Sequence, residues 1–171
     1  MEKNPIIVGS LNCTGEEPVV LKCGDENWKL IPGMSAYLGD IRVFKGQPYV
    51  VDKFLVESDG DLLLADVYDH EIDEDADDYD RARINVFKLN EKEKKWVKLA
   101  NLGDRVFFLG LLCSFSASAS DLCVPKGNLV IIMDNIFTRV QYKSSFLDLD
   151  DGQLLPLSNY PEYSELFCHL R

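Results

Sequence analysis

Phe54-Leu55-Val56-Glu57-Ser58-Asp59-Gly60-Asp61-Leu62-Leu63-Leu64-Ala65-Asp66 is the stretch on which the reading of this chain turns. Two apolar runs flank Asp59-Gly60, a pair that readily adopts the positive φ values of a two-residue hairpin turn. The stretch therefore predicts two antiparallel strands adjacent in sequence, Phe54 to Glu57 and Leu62 to Val67. Outward from it, apolar residues keep falling in short runs rich in β-branched and aromatic side chains, and no stretch holds a 3.6-residue period over a helical length. Further strands are expected at Pro18 to Leu21, Trp28 to Ile31, Ile41 to Phe44, Tyr49 to Val51, Ile84 to Leu89, Trp96 to Leu99, Val106 to Leu109, Leu129 to Met133, Phe146 to Leu149 and Leu154 to Leu157. Lys45-Gly46, Lys126-Gly127 and Asp151-Gly152 carry similar turn chemistry, which predicts antiparallel neighbours in sequence order. The chain reads as strand and turn throughout, an all-β fold.

Within the strand series lies a weak internal repeat. Trp28-Lys29-Leu30 is followed by Gly39-Asp40, Val43-Phe44 and Tyr49-Val50-Val51-Asp52; Trp96-Val97-Lys98-Leu99 is followed by Gly103-Asp104, Phe107-Phe108 and Val130-Ile131-Ile132-Met133-Asp134. A third apolar run ending in Asp, Leu62 to Asp66, falls between them. Repetition of a few strands is how a propeller is built, because each blade buries its faces only against its neighbours. The expectation is a partial β-propeller of about three irregular antiparallel blades, forming one domain over residues 1–171. The spacing also shows a defect: Asp52 and Asp66 are equivalent strand ends only 14 residues apart, whereas a blade takes ~40–50 residues.

The 171 residues, 46% hydrophobic and 27% charged, suffice for one core. A net charge of -11 argues against nucleic acid, whose phosphates are held by clustered Lys and Arg. The amino terminus has only Ile6-Ile7-Val8 as a consecutive apolar run, short of a secretory core, and no run approaches a membrane span. A cytoplasmic or nuclear location without membrane contact is the expectation. Cys13, Cys23, Cys113, Cys123 and Cys168 are odd in number and contain no C-x-x-C pair, so they predict neither a disulfide framework nor a zinc site. Asn12-Cys13-Thr14 matches a glycosylation triplet that has no relevance without export. Residues 69–80, dense in Asp and Glu, repel one another and predict an exposed loop.

The central series resembles a known family. Phe54 to Asp66, then Val86-Phe87-Lys88-Leu89, Trp96-Val97-Lys98-Leu99, Leu102-Gly103-Asp104-Arg105-Val106-Phe107-Phe108-Leu109-Gly110 and Cys113-Ser114-Phe115-Ser116-Ala117-Ser118-Ala119 resemble the carboxy-terminal propeller of plant F-box proteins of the KIB type. Gly24-Asp25-Glu26-Asn27-Trp28, Val43 to Asp52 and Phe146 to Gly152 fit the same family, and the likeness covers about residues 19–167. It implies a non-enzymatic interaction module whose kelch-like propeller selects a protein for a ubiquitin ligase. No F-box precedes Val19, so docking on the ligase adaptor is not expected of this chain. The resemblance further implies a strand pair between Asp52 and Lys53 that is missing here, and an end rich in Trp and Pro where this chain stops at Cys168-His169-Leu170-Arg171. A truncated or degenerate remnant is the alternative reading, and open edges would allow pairing with a second copy.

Catalytic, cofactor and metal residues are expected to be none. His70 and His169 are the only histidines, and Ser114 to Ser120 holds no G-x-S-x-G elbow, reading instead as alternating strand positions. Asp73, Asp75 and Asp77 have calcium-loop spacing, but Asp78 stands where the loop needs Gly and Ile84 where it needs a carboxylate. Trp28 and Trp96, at equivalent positions, are expected in the core, and Asp40, Asp104, Asp52 and Asp134 as caps of strand ends or turns. The partner is an unidentified protein, and its contact residues are unknown from sequence.

Overall fold

A computed structural model of the chain describes residues 6–11, 17–31, 40–68, 83–110, 113–133, 144–152 and 154–167. Their contacts divide the chain into two compact units, residues 1–55 and 56–171. The acidic stretch 69–80, both histidines, Cys13, Cys168, Gly39 and Asp134 lie outside the described residues.

In the first unit β1 (Ile6–Leu11), β2 (Glu17–Lys22) and β3 (Lys29–Leu30) form an antiparallel sheet in that order. The connection before β3 is closed by Asp25, whose carboxylate accepts from the Lys22 amide at 3.1 Å and pairs with Lys29 at 2.5 Å. The Lys29 hydrogen bond, followed by that amide, holds this carboxyl below its ordinary range. Next come β4 (Asp40–Phe44) and β5 (Gln47–Val51), joined by Lys45-Gly46 with both residues at positive φ, 48° and 75°. They form a sheet of only two strands. Phe44 is buried, but Ile41 is 38% and Val43 69% exposed, which leaves a ribbon of marginal stability.

The next sheet starts after just Asp52 and Lys53. It contains β6 (Phe54–Ser58), β7 (Asp61–Tyr68), β8 (Arg83–Asn90) and β9 (Lys95–Lys98) as an antiparallel meander. Asp59 and Gly60 form the expected hairpin turn, with φ of 52° and 77°. Leu62 to Asp66 are five consecutive buried residues. Since alternate side chains point to opposite faces, both faces of β7 are covered.

The last sheet has five strands, in the order β11 (Phe115–Ser118), β10 (Arg105–Leu109), β12 (Leu129–Ile132), β13 (Ser145–Asp148) and β14 (Leu154–Pro156). Val106, Phe108, Leu129, Ile131 and Phe146 line one face, where Ala119, Val124, Leu157 and Tyr163 complete the core. Registered beside them, Phe107, Leu109, Val130, Ile132 and Leu147 point the other way and are all buried. Full burial of both faces is what stacked blades require. Among the described residues, three sheets of three or more strands and one two-stranded piece thus bear out the all-β, irregular partial propeller.

Several local expectations are corrected. β10 and β12 pair in parallel, Phe107 beside Val130, so this sheet is not wholly antiparallel. After β11 the chain crosses to the far side of β10 through α1 (Ala119–Leu122), where Ser118 caps by accepting from the Asp121 amide at 2.9 Å. Lys126-Gly127 is therefore part of a crossover and not a hairpin turn. Gly127 is required for another reason: a Cβ there would stand 2.6 Å from Asp104 Cα. Residues 157–167, expected as strand end and turn, form α2 (Pro161–Ser164) between two single turns of 3-10 helix. Proline at its first position, with φ already fixed, starts that helix. Strand β1 went unread in the sequence, and β11 was legible only as alternation in the serine run.

Candidate protein-binding surface

The aromatic carboxy-terminal segment is scaffold. Tyr160 stacks on Phe146 with centroids 3.8 Å apart, and Tyr163 meets Phe146 edge-on at 5.0 Å. The Tyr163 hydroxyl donates to the Lys126 carbonyl at 3.0 Å, tying α2 to the crossover, and burial pushes its pKa up. Lys126 reaches the Asp148 carboxylate, a hydrogen bond that raises its own pKa, and Asp150 lies at 3.6 Å. These groups secure α2 and the crossover against β12 and β13.

Of the aspartates singled out by the repeat, Asp40 and Asp104 accept hydrogen bonds from distant parts of the chain. Asp40 accepts from the Leu55 amide at 3.1 Å, and Asp104 accepts from the Ser120 hydroxyl at 2.8 Å and its amide at 3.4 Å. Asp52 is exposed beside Lys53 at 3.8 Å. Asp66 is buried inside β7, two residues short of its end, so its equivalence to Asp52 is loose. The tryptophans are corrected: Trp28 is 43% exposed and Trp96 half-buried, so neither is core. Trp28 leads into β3 and Trp96 lies in β9, each the last strand of its sheet among the described residues, where no described strand flanks the side chain on that side.

Burial pushes the Asp40 carboxyl above its ordinary value of 3.8, against the opposing pull of the Leu55 amide and Arg42. A carboxyl with a raised pKa binds its proton more tightly in the folded state, so ionisation weakens the fold as pH climbs from 3.8 through the raised value. Asp40→Asn keeps an oxygen for the Leu55 amide and removes the charge. Melting curves should show it at least as stable as the parent at neutral pH, with that advantage shrinking toward about pH 4. An advantage that grows in acid would contradict this account of Asp40.

No group of three or more His, Cys, Asp or Glu able to hold a metal occurs among the described residues. No described helix is long and apolar enough to cross a membrane. The exposed part of the β6–β9 sheet has a different character. Around the β8–β9 turn an open groove of about 490 Å³ runs beside Val97, Leu89 and Leu99. Its rim carries Asp61 paired with Lys88 at 2.6 Å. Val97 is 49% exposed; Glu91 and Lys92 line the same groove, and Lys94, Lys95 and Lys98 are exposed along the turn and β9, with Glu93 among them. Nothing in the sequence spacing of these residues shows that Val97 and Leu99 lie open beside Lys92 and the Asp61–Lys88 pair.

Comparison with known proteins places this geometry. Residues 51–155 match the family model for the KIB1-4 beta-propeller. Among curated proteins of Arabidopsis thaliana, F-box protein At2g17036 is 31% identical over 67% of this chain and 32% of its own length. F-box protein SKIP23 is 26% identical over 94% of this chain and 54% of its own. F-box/kelch-repeat protein At1g64840 is 30% identical over 54% of this chain and 28% of its own. This chain thus spans roughly a third to a half of the relatives it matches. No solved structure matches. The matched region begins at the end of β5, runs through the sheets buried on both faces, and stops within β14, so the chain belongs to the family of KIB1-4 β-propellers found in plant F-box proteins.

Proposed function

We propose that this chain is a protein-interaction module of the kind that selects substrates for a ubiquitin ligase. The observation that carries the reading is the family match over sheets packed on both faces. Such sheets form a stiff scaffold whose turns and outer strands are free to vary, which suits recognition by surface. The groups with shifted pKa serve structure: Asp25 and Asp40 accept backbone amides, Lys126 pairs with Asp148, Tyr160 stacks on Phe146, and Tyr163 bonds to a carbonyl. A non-enzymatic role accords with those assignments. Affinity purification of the tagged chain from plant cells, followed by ubiquitin profiling of what it recovers, tests the proposal. Reproducible partners whose ubiquitination changes with the level of the chain are expected; no reproducible partner at all would overturn it.

A second reading, a remnant without independent function, is favoured by the first unit. There β4 and β5 stand as a two-stranded sheet and only Asp52 and Lys53 precede β6. The alignment to SKIP23 is 222 positions long, more than this whole chain contains, so the relative has residues that this chain does not. A strand pair lost between Asp52 and Lys53 fits both observations. Broad, non-cooperative melting with aggregation would support the remnant, and one sharp transition would count against it.

A further inference from the structure

We propose that β9 is a docking edge for an extended acidic segment of a partner protein, which adds to the β6–β9 sheet as a further strand. The inference rests on the reading of this chain as an interaction module and names where that module binds. β9 ends its sheet, with no strand beyond it among the described residues. The Leu99 amide donates to the Val86 carbonyl at 2.8 Å, and Trp96 and Lys98 stand opposite Leu89 and Phe87. Hydrogen bonds in an antiparallel pair alternate, so Lys95, Val97 and Leu99 direct their backbone groups toward β8, while Trp96 and Lys98 direct theirs outward. Those outward amides and carbonyls are the groups that strand addition uses.

The charge of this edge selects the occupant. The chain carries 29 acidic against 18 basic residues, yet along this turn and strand Lys92, Lys94, Lys95 and Lys98 outnumber Glu91 and Glu93, and these four lysines make no ion pair among the described residues. Lysines on an edge strand also keep it from pairing with its own copies. That protective role does not account for Val97, 49% exposed beside an open groove of about 490 Å³ in which Leu89, Val97 and Leu99 lie among Asp61, Lys88, Glu91 and Lys92. Side chains alternate along β9, Lys95 and Val97 on one face and Trp96 and Lys98 on the other, so an incoming strand that alternates acidic with apolar side chains sets its carboxylates beside Lys98 and its apolar side chains beside Val97 and the groove. A second copy would bring lysine against lysine.

The test uses the full chain and a short fluorescent peptide in which glutamate alternates with valine. Binding should appear in polarisation assays, weaken with added salt, and fall roughly tenfold or more in Lys95→Glu/Lys98→Glu, a surface change whose fold is checked by circular dichroism. The same peptide N-methylated at alternate residues, which cannot donate to the edge, should lose binding without any change to the protein. Equal binding of the methylated peptide, of a lysine-valine peptide or of a single-stranded oligonucleotide would overturn strand addition. So would unchanged affinity in the charge-reversed chain. If that chain still recovers the same cellular partners as the parent, the interaction module stands and this edge is not its site; if the parent recovers none, the module itself falls.

Discussion

Phe107→Ala is expected to destabilise the second unit by about 3–5 kcal/mol, the range for removing a fully buried aromatic ring. Phe107 is 0% exposed and sits in β10, between Ser116 of β11 and Val130 of β12. Its face carries Leu109, Ile132 and Leu147, also buried, so the surrounding strands are held by two ladders and can collapse only partly into the space left. Domains are stable by about 5–15 kcal/mol, and so a single truncation would consume much of the total. Val43→Ala, at a residue 69% exposed, should stay within about 0.5 kcal/mol of the parent. Urea unfolding of the three chains checks the contrast. A Phe107→Ala cost below about 1 kcal/mol would show that the five-stranded sheet is not packed on both faces.

Native-state hydrogen exchange should separate the two units by a wide margin. Amides of Val106 to Leu109 and Leu129 to Ile132 lie in strands flanked on both sides and buried on both faces, and should exchange only through global unfolding. Those of β4 and β5 belong to a two-stranded sheet with Ile41 and Val43 exposed, and should open locally. Since local opening costs far less than global unfolding, protection factors should differ by about a thousandfold or more. Mass-spectrometric exchange on the intact chain reads this directly. Equal protection would mean that the β4–β5 ribbon is stabilised by something its own residues do not supply.

The two results also divide the readings of function. A well-protected second unit beside a labile first unit fits an interaction scaffold that has lost a strand pair after Asp52. Lability throughout fits a remnant.

Much of the fold was legible locally. The strand expectations at Ile41 to Phe44, Phe54 to Glu57, Leu62 to Val67, Ile84 to Leu89 and Val106 to Leu109 each fall within an observed strand, because short apolar runs bounded by turn pairs such as Asp59-Gly60 act over a few residues. Trp28 and Trp96 were misplaced because ring size says nothing about whether a strand stands at the edge of its sheet. Lys126-Gly127 was misread because a glycine demanded by close approach to Asp104 resembles one demanded by positive φ. Helices α1 and α2 are four residues each, too short to leave a period, and were marked only by Ser118 and Pro161. The groove beside Val97 was invisible, since Asp61 and Lys88 meet from strands 27 positions apart.

By itself the sequence determined the class of structure: short alternating strands, hairpin turns, a spacing defect after Asp52 and an acidic overall charge, all properties of neighbouring residues or of composition. Tertiary structure alone decided that β12 crosses to lie parallel with β10, which strands lie at sheet edges, and that Asp61 and Lys88 meet beside an exposed valine. Those outcomes depend on which distant strands hydrogen-bond side by side, and in the five-stranded sheet that choice is made by burying both faces at once, a condition no local window of sequence contains.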